Sequence, residues 1–258
     1  MTRYFNSAVS AFLALLLCAC SNTNPIGYSV QNQASTQSGS SYIIELNSPE
    51  GEKRLYQSQA HTDFLPLSIH FETQQNLAYC GVASMTMVLN ASQIPAPTAP
   101  EYKPYPMFTQ NNLFNEKTEQ IISINNIKRQ GMTLGQFGQL LAAYGLKTKA
   151  IYASDITVDQ FRTLAVKNLA QHNNFIVVNY LRKAIGQESG GHISPLAAYH
   201  KQSDSFLILD VSRYKYPPVW VSAELLWQAM NTIDKASGKT RGFVLIDLED
   251  SEVNKKKE

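Results

Sequence analysis

Residues 80–91 read Cys-Gly-Val-Ala-Ser-Met-Thr-Met-Val-Leu-Asn-Ala. Apolar side chains fall on nearly every side of a helical projection, which predicts a helix buried in a core, since a surface helix keeps a polar face. Cys80 stands at its start. A thiol there feels the positive end of the helix dipole and unpaired backbone N–H groups, which lower its pKa and favour thiolate. Position alone leaves two readings, a nucleophile or a buried core thiol.

Upstream, Gln74 has the spacing for its side-chain amide to reach back and, with the Cys80 backbone N–H, donate to a developing oxyanion. Gln75 is the nearest alternative, and a solvated Gln in a polar turn is the other reading. Downstream, residues 94–106 carry Pro95, Pro97, Pro100, Pro104 and Pro106, five of the chain's eleven prolines. Such a stretch forms neither helix nor central strand and is expected as a loop beside the site. Thr133 is placed to cap a helix running to Tyr144 and ended by Gly145, and Thr157 to cap another to about Ala170. Strands are expected at 42–46, 175–181, 192–199, 206–211 and 242–247, with a helix over 223–233 between the last two. Helices first and strands later give an α+β domain with a C-terminal antiparallel sheet.

That sheet carries the remaining candidates. Gly190-Gly191-His192 opens a strand where small residues leave room for backbone to approach a ligand, so His192 is placed to take a proton from Cys80. Asp210 ends the apolar run Phe206-Leu207-Ile208-Leu209, and a carboxylate there can orient the imidazole and stabilise its charged form. His200 reads as a strand-end residue, and His61, His70 and His172 lie in polar or helical surroundings. A zinc site of Cys80, His192 and His200 has no ligand spacing of a known kind.

With 258 residues, 44% hydrophobic, 16% charged and net charge +2, the chain suits one medium domain or two small ones. Its scattered cations give no footprint for nucleic acid. Arg3 followed by an apolar run over 8–17 is too short to span a bilayer and reads as an export signal, residues 1–19. Leu17-Cys18-Ala19-Cys20 resembles a bacterial lipobox, which makes Cys20 the lipidated N-terminus of an envelope lipoprotein; an ordinary secretory signal is the alternative. Ser21 then favours the periplasmic face of the outer membrane in a diderm bacterium. Residues 20–41, polar and aperiodic, form a tether that holds the domain, 42–250, roughly 25 Å from the membrane. Residues 251–258 form a charged tail. Of the three cysteines, only Cys80 then belongs to the folded domain, so it has no disulfide partner there.

Gln74 through Ala91 and Gly190 through Val221, above all Gly-Gly-His-Ile-Ser-Pro at 190–195 and Leu-Asp-Val-Ser-Arg-Tyr-Lys-Tyr-Pro-Pro-Val-Trp-Val at 209–221, resemble the catalytic domain of phytochelatin synthases. The resemblance runs from about residue 60 to 247. It implies a papain-like cysteine peptidase fold, with the catalytic Cys at a helix start in an N-terminal helical part and His and Asp on the sheet. The implied triad is Cys80, His192 and Asp210, with Gln74 in the oxyanion hole. Arg241, Arg213, Arg182 and Lys215 are the implied substrate contacts; glutathione presents two carboxylates, which Arg binds bidentately and Lys as a point charge. The implied activity is glutathione γ-glutamylcysteinyl transfer or deglycination through a thioester, in metal detoxification or thiol-peptide turnover. Plant members add a Cys-rich C-terminal region, whereas this chain ends soon after Asp247. It therefore resembles the short bacterial forms, for which hydrolysis is implied over polymerisation.

No tightly bound cofactor is expected, and divalent heavy metal ions enter as glutathione thiolate complexes. Gln-x5-Cys-Gly also resembles the bacteriocin-processing proteases, which makes a peptidase for polypeptide leaders the rival enzyme. A non-catalytic lipoprotein binding thiol peptides or metal thiolates is the rival of another class.

Overall fold

The computed structural model describes residues 43–188 and 190–248. The signal segment, Cys20 with its tether, and the charged tail lie outside the described residues. Eight helices are described: α1 (Pro49–Tyr56), α2 (Phe64–Ile69), α3 (Cys80–Ala91), α4 (Glu116–Glu119), α5 (Ile124–Gln130), α6 (Leu134–Ala142), α7 (Val158–Leu169) and α8 (Ala223–Met230). The α6 and α7 starts follow from their capping residues. The Thr133 and Thr157 hydroxyls accept from the Gln136 and Gln160 N–H groups, and each Gln side chain returns the bond to the cap's own backbone. Gly145 adopts φ +86°, a left-handed conformation that lets the chain turn away after α6.

Nine strands are described: β1 (Ile43–Glu45), β2 (Lys147–Tyr152), β3 (Asn174–Leu181), β4 (Gly191–His200), β5 (Ser205–Ile208), β6 (Val219–Ser222), β7 (Ile233–Asp234), β8 (Lys239–Thr240) and β9 (Gly242–Asp247). Seven form one sheet in the order β1-β6-β5-β4-β3-β9-β2, every pairing antiparallel. Alternate residues of β3 feed two cores. Phe175 and Val177 join a cluster with Val82, Met85 and Leu89 of α3 and Phe137 and Leu141 of α6. Ile176 and Val178 join another with Phe161 and Ala165 of α7 and Leu226 and Met230 of α8. Because both faces are covered, the central strands read as continuous apolar runs rather than as polar–apolar alternation. The α+β class and the helix over 80–91 are as expected from the sequence, and α3 is buried along its length from Gly81 to Leu89.

Three local expectations are corrected. β5 ends at Ile208 instead of 211; Leu209 N still bonds Pro195 O, then the chain leaves the ladder and Val211 O receives Gln74 N at 2.9 Å. The helix expected to reach 233 ends at Met230, where the Thr232 hydroxyl bonds Ala229 O and Ile233 enters the β7–β8 ribbon. The proline-rich loop lies at the far end of α3, not beside Cys80: Pro95, Ala96 and Pro106 share a cleft with Asn90 and Gln93.

At Gly242 β9 leaves no room for a side chain beside β2. This glycine pairs with Tyr152 on one side and Asn179 on the other, and a Cβ there would lie 2.0 Å from Ile151 O. Since that atom is backbone and cannot swing aside, Gly242→Ala should destabilise the domain by about 2–3 kcal/mol. Urea unfolding would read this as a lower midpoint at unchanged slope; an unchanged midpoint would mean that the strands part there freely.

Candidate active site

Cys80 occupies the first position of α3 and is partly exposed, with no disulfide. Burial pushes its thiol pKa up. The hydrogen bond and charge of His192 outweigh that effect, helped by the Ile193 and Gly81 amides, so the thiol lies below its ordinary value. The helix is locked to the strand that brings the imidazole, because the Ser84 hydroxyl donates to Ile193 O at 3.1 Å. Gly81 packs closely on Met132, whose flexible side chain would have to shift to admit a Cβ 2.8 Å from its sulfur.

His192, at the start of β4, is 4% exposed. Its Nε2 lies 2.9 Å from Asp210 Oδ1 and 2.9 Å from the Ser194 hydroxyl, which leaves Nδ1 for the sulfur. The Tyr180 ring, its cross-strand partner on β3, stands edge-on at 5.7 Å. Burial pulls the imidazole pKa down, but hydrogen bonds and charge from Asp210 and Cys80 raise it on balance. The arrangement favours imidazolium beside thiolate.

Asp210 is fully buried. Burial alone would raise its pKa, yet His192 and Arg182 hold the carboxyl well below the usual carboxylate range. Arg182, implied as a substrate contact, is placed otherwise. It follows β3, is 5% exposed, and grips Asp210 with both terminal nitrogens, Nη1 to Oδ2 at 2.7 Å and Nη2 to Oδ1 at 2.8 Å. It also donates to Gln187 and lies over the Tyr216 ring at 4.8 Å. The charge of a cation so engaged is already met by the acid.

Gln74 is 4% exposed and belongs to the same network. Its Nε2 donates to Asn76 O at 2.7 Å, its Oε1 accepts from the Ser212 hydroxyl at 2.7 Å, and the Ser212 N–H donates to Asp210 Oδ1 at 2.8 Å. Ser212 thus ties the Gln74 amide to the carboxylate, with one Nε2 proton uncommitted. Arg241 is 8% exposed: Nη1 donates to Ile233 O at 2.7 Å and Thr232 Oγ1 at 3.1 Å, Nε has no partner, and Nη2 lies beside Gly191. Arg213 is exposed over Phe71 at 4.7 Å, and Lys215 is exposed and paired with Glu188. His200 is at the other end of β4, nine-tenths buried against Ser203 and Trp220, so Cys80, His192 and His200 do not converge.

A family model described as phytochelatin synthase matches residues 35–243. The chain belongs to the phytochelatin synthase family. Glutathione gamma-glutamylcysteinyltransferase 3 from Lotus japonicus is 37% identical over 206 residues, which is 79% of this chain and 42% of that protein. Glutathione gamma-glutamylcysteinyltransferase 1 from Arabidopsis thaliana is 36% identical over 206 residues, 79% of this chain and 41% of that protein. The glutathione gamma-glutamylcysteinyltransferase of Schizosaccharomyces pombe is 31% identical over 194 residues, 75% of this chain and 45% of that protein. The chain therefore spans less than half the length of these relatives.

For this family member, sequence reasoning missed Ser194, Ser212, Gln187 and Tyr180. Only Ser194 carried a signal, since it stands two residues from His192 on a strand and so shares its face. Iodoacetamide alkylation checks the coupling: the Cys80 rate should titrate below the unperturbed thiol value of about 8.5. His192→Ala should move that midpoint upward, because burial then acts without the opposing cation. An unmoved midpoint would separate the sulfur from the ring.

Proposed function

We propose that the domain cleaves the Cys–Gly bond of glutathione by thiol acyl transfer, with a papain-like cysteine peptidase arrangement of Cys80, His192 and Asp210. The observation that carries this reading is the hydrogen-bonded run Cys80, His192, Asp210, in which the thiol pKa is lowered and the imidazole pKa raised. A buried core cysteine needs neither a base nor a charged orienter.

The Cys80 thiolate adds to the carbonyl carbon joining Cys to Gly. The developing oxyanion is held by the Cys80 backbone N–H and the uncommitted Gln74 Nε2 proton. The tetrahedral intermediate collapses with breakage of the C–N bond as His192 Nδ1 gives its proton to the departing glycine nitrogen. A γ-glutamylcysteinyl thioester remains on the sulfur. The neutral imidazole then takes a proton from water, and hydroxide transfer to the acyl carbon releases γ-glutamylcysteine. When the amine of a second glutathione is the acceptor, the product is a phytochelatin of two units. Asp210 keeps Nε2 hydrogen-bonded throughout, and Arg182 keeps Asp210 ionised.

Arg241 is our choice of cation for a substrate carboxylate, since burial leaves its charge underpaired and its Nη2 lies beside Gly191, next to His192. Arg213 and Lys215 are exposed charges for the outer part of the peptide. We also infer the envelope location, with Cys20 lipidated and the domain on the periplasmic face of the outer membrane, from the lipobox-like segment alone. Heavy metal ions enter as thiolate complexes of the acceptor, which links the reaction to metal detoxification.

The test is glycine release from glutathione, followed with its products by mass spectrometry. Cys80→Ala should abolish release. Asp210→Asn should lower the chemical step by about 10³-fold or more with folding intact, because the ring loses its charged orienter. Undiminished turnover in Cys80→Ala, or cleavage of polypeptide leaders in preference to glutathione, would overturn the reading.

A further inference from the structure

Asp63 stands where a helix-capping side chain normally bonds the first-turn amides, directly before α2, but it makes no such bond. It is 1% exposed, Oδ2 has no partner, and no neighbouring charge compensates, so burial pushes its carboxyl up to about 8. Its backbone is fixed between two helices, since Leu67 N bonds Asp63 O and the adjoining Thr62 N bonds Leu169 O. A buried polar group without a partner costs stability and calls for an explanation.

Asp63 lines a cavity of about 340 Å³. Leu65 and Ile69 of α2, Ala91 of α3 and Phe175 of β3 supply apolar wall. The Asn90 amide is already bonded to the Phe108 backbone at 2.9 and 3.0 Å. The other titratable groups lining the space are His70, at the end of α2, and His172, before β3; α3 contributes none. Burial lowers the His70 pKa, so that ring is neutral at pH 7. Asn90 and Ala91 close the last turn of α3, about 17 Å along the helix from Cys80. The cavity is therefore separate from the catalytic network.

We propose that this cavity binds a small organic cation, an ammonium or guanidinium group on a short apolar body, with its N–H groups donated to Asp63. Asp63 Oδ2 supplies an unpartnered acceptor, the neutral His70 ring adds no repulsion, and the apolar walls suit a short hydrocarbon. Binding balances as a proton exchange: the neutral carboxyl releases its proton to solvent and the resulting carboxylate pairs with the ligand cation.

The experiment is isothermal titration of the protein with propylammonium, with guanidinium and with propanol, at pH 7 in two buffers of different ionisation enthalpy. At least one cation should bind about tenfold or more tighter than propanol and release nearly one proton per site. Asp63→Asn should lose both the preference and the proton while glutathione turnover is unchanged. Ala91→Leu, which fills the cavity and leaves Asp63 in place, should also abolish binding and serves if the Asn variant fails to fold. Equal affinity for propanol, binding without proton release, binding that survives Asp63→Asn, or no saturation by about 50 mM would each overturn the proposal.

Discussion

A single carboxylate has to stay charged where water does not reach it. Asp210 is fully buried, and left alone it would take up a proton and lose its hold on the imidazole. Arg182 prevents this from one side and His192 from the other, with the Ser212 amide as a further donor. The charges then alternate in sign from the Arg182 guanidinium through Asp210 and the imidazolium to the Cys80 thiolate. Each is stabilised by its neighbours, and removing one partner leaves an uncompensated buried charge, typically at a cost of about 3–5 kcal/mol.

This row is assembled from four separate segments, of which the N-terminus of α3 is far in sequence from the start of β4, the residues after β5 and the turn after β3. The covered sheet makes that assembly reproducible. A one-residue slip between β3 and β4 would send Ile176 and Val178 into the wrong core and carry His192 away from the sulfur, so register and chemistry are protected together. Two further ties fix the helical part to the sheet. Ser84 bonds Ile193 O next to the imidazole, and Gln74 N bonds Val211 O next to the acid. The segments carrying Cys80 and Gln74 are thus each fastened directly to the strand or loop that carries His192 or Asp210.

The residues legible in the sequence were those whose role follows from local pattern. Cys80 opens an unusually apolar helix, Thr133 and Thr157 carry their own capping partners, and Gly190-Gly191 opens a strand. The pairing of Arg182 with Asp210 was not legible, because a lone Arg in sequence does not say whether its anion is a substrate or a buried Asp 28 positions away. Ser212 escaped for the same reason, since its hydroxyl bonds Gln74 far away in sequence, whereas Gln187 bonds Arg182 locally and escaped because a Gln in a turn is unremarkable. The proline-rich segment was recognised as a loop but put at the wrong end of α3, because composition excludes regular structure without saying which helix terminus the loop covers. The overextended strand at 206–211 failed where apolar character continued but the ladder did not, as the chain turned to deliver Asp210.

Arg182 and Arg241 differ in how fully the fold meets their charge, which sequence could not show. Both are more than nine-tenths buried. The pKa of Arg182 is raised, because the bonds to Asp210 overcome burial, whereas that of Arg241 is lowered, because burial is opposed only by the charge of Asp234. A carboxylate arriving from outside would gain little from Arg182, whose charge is already met. At Arg241 it would relieve a desolvated charge, which is the larger change in free energy. Under the proposed activity, recognition of the peptide therefore falls on the cation that the fold leaves underpaired. The cation it satisfies serves the acid.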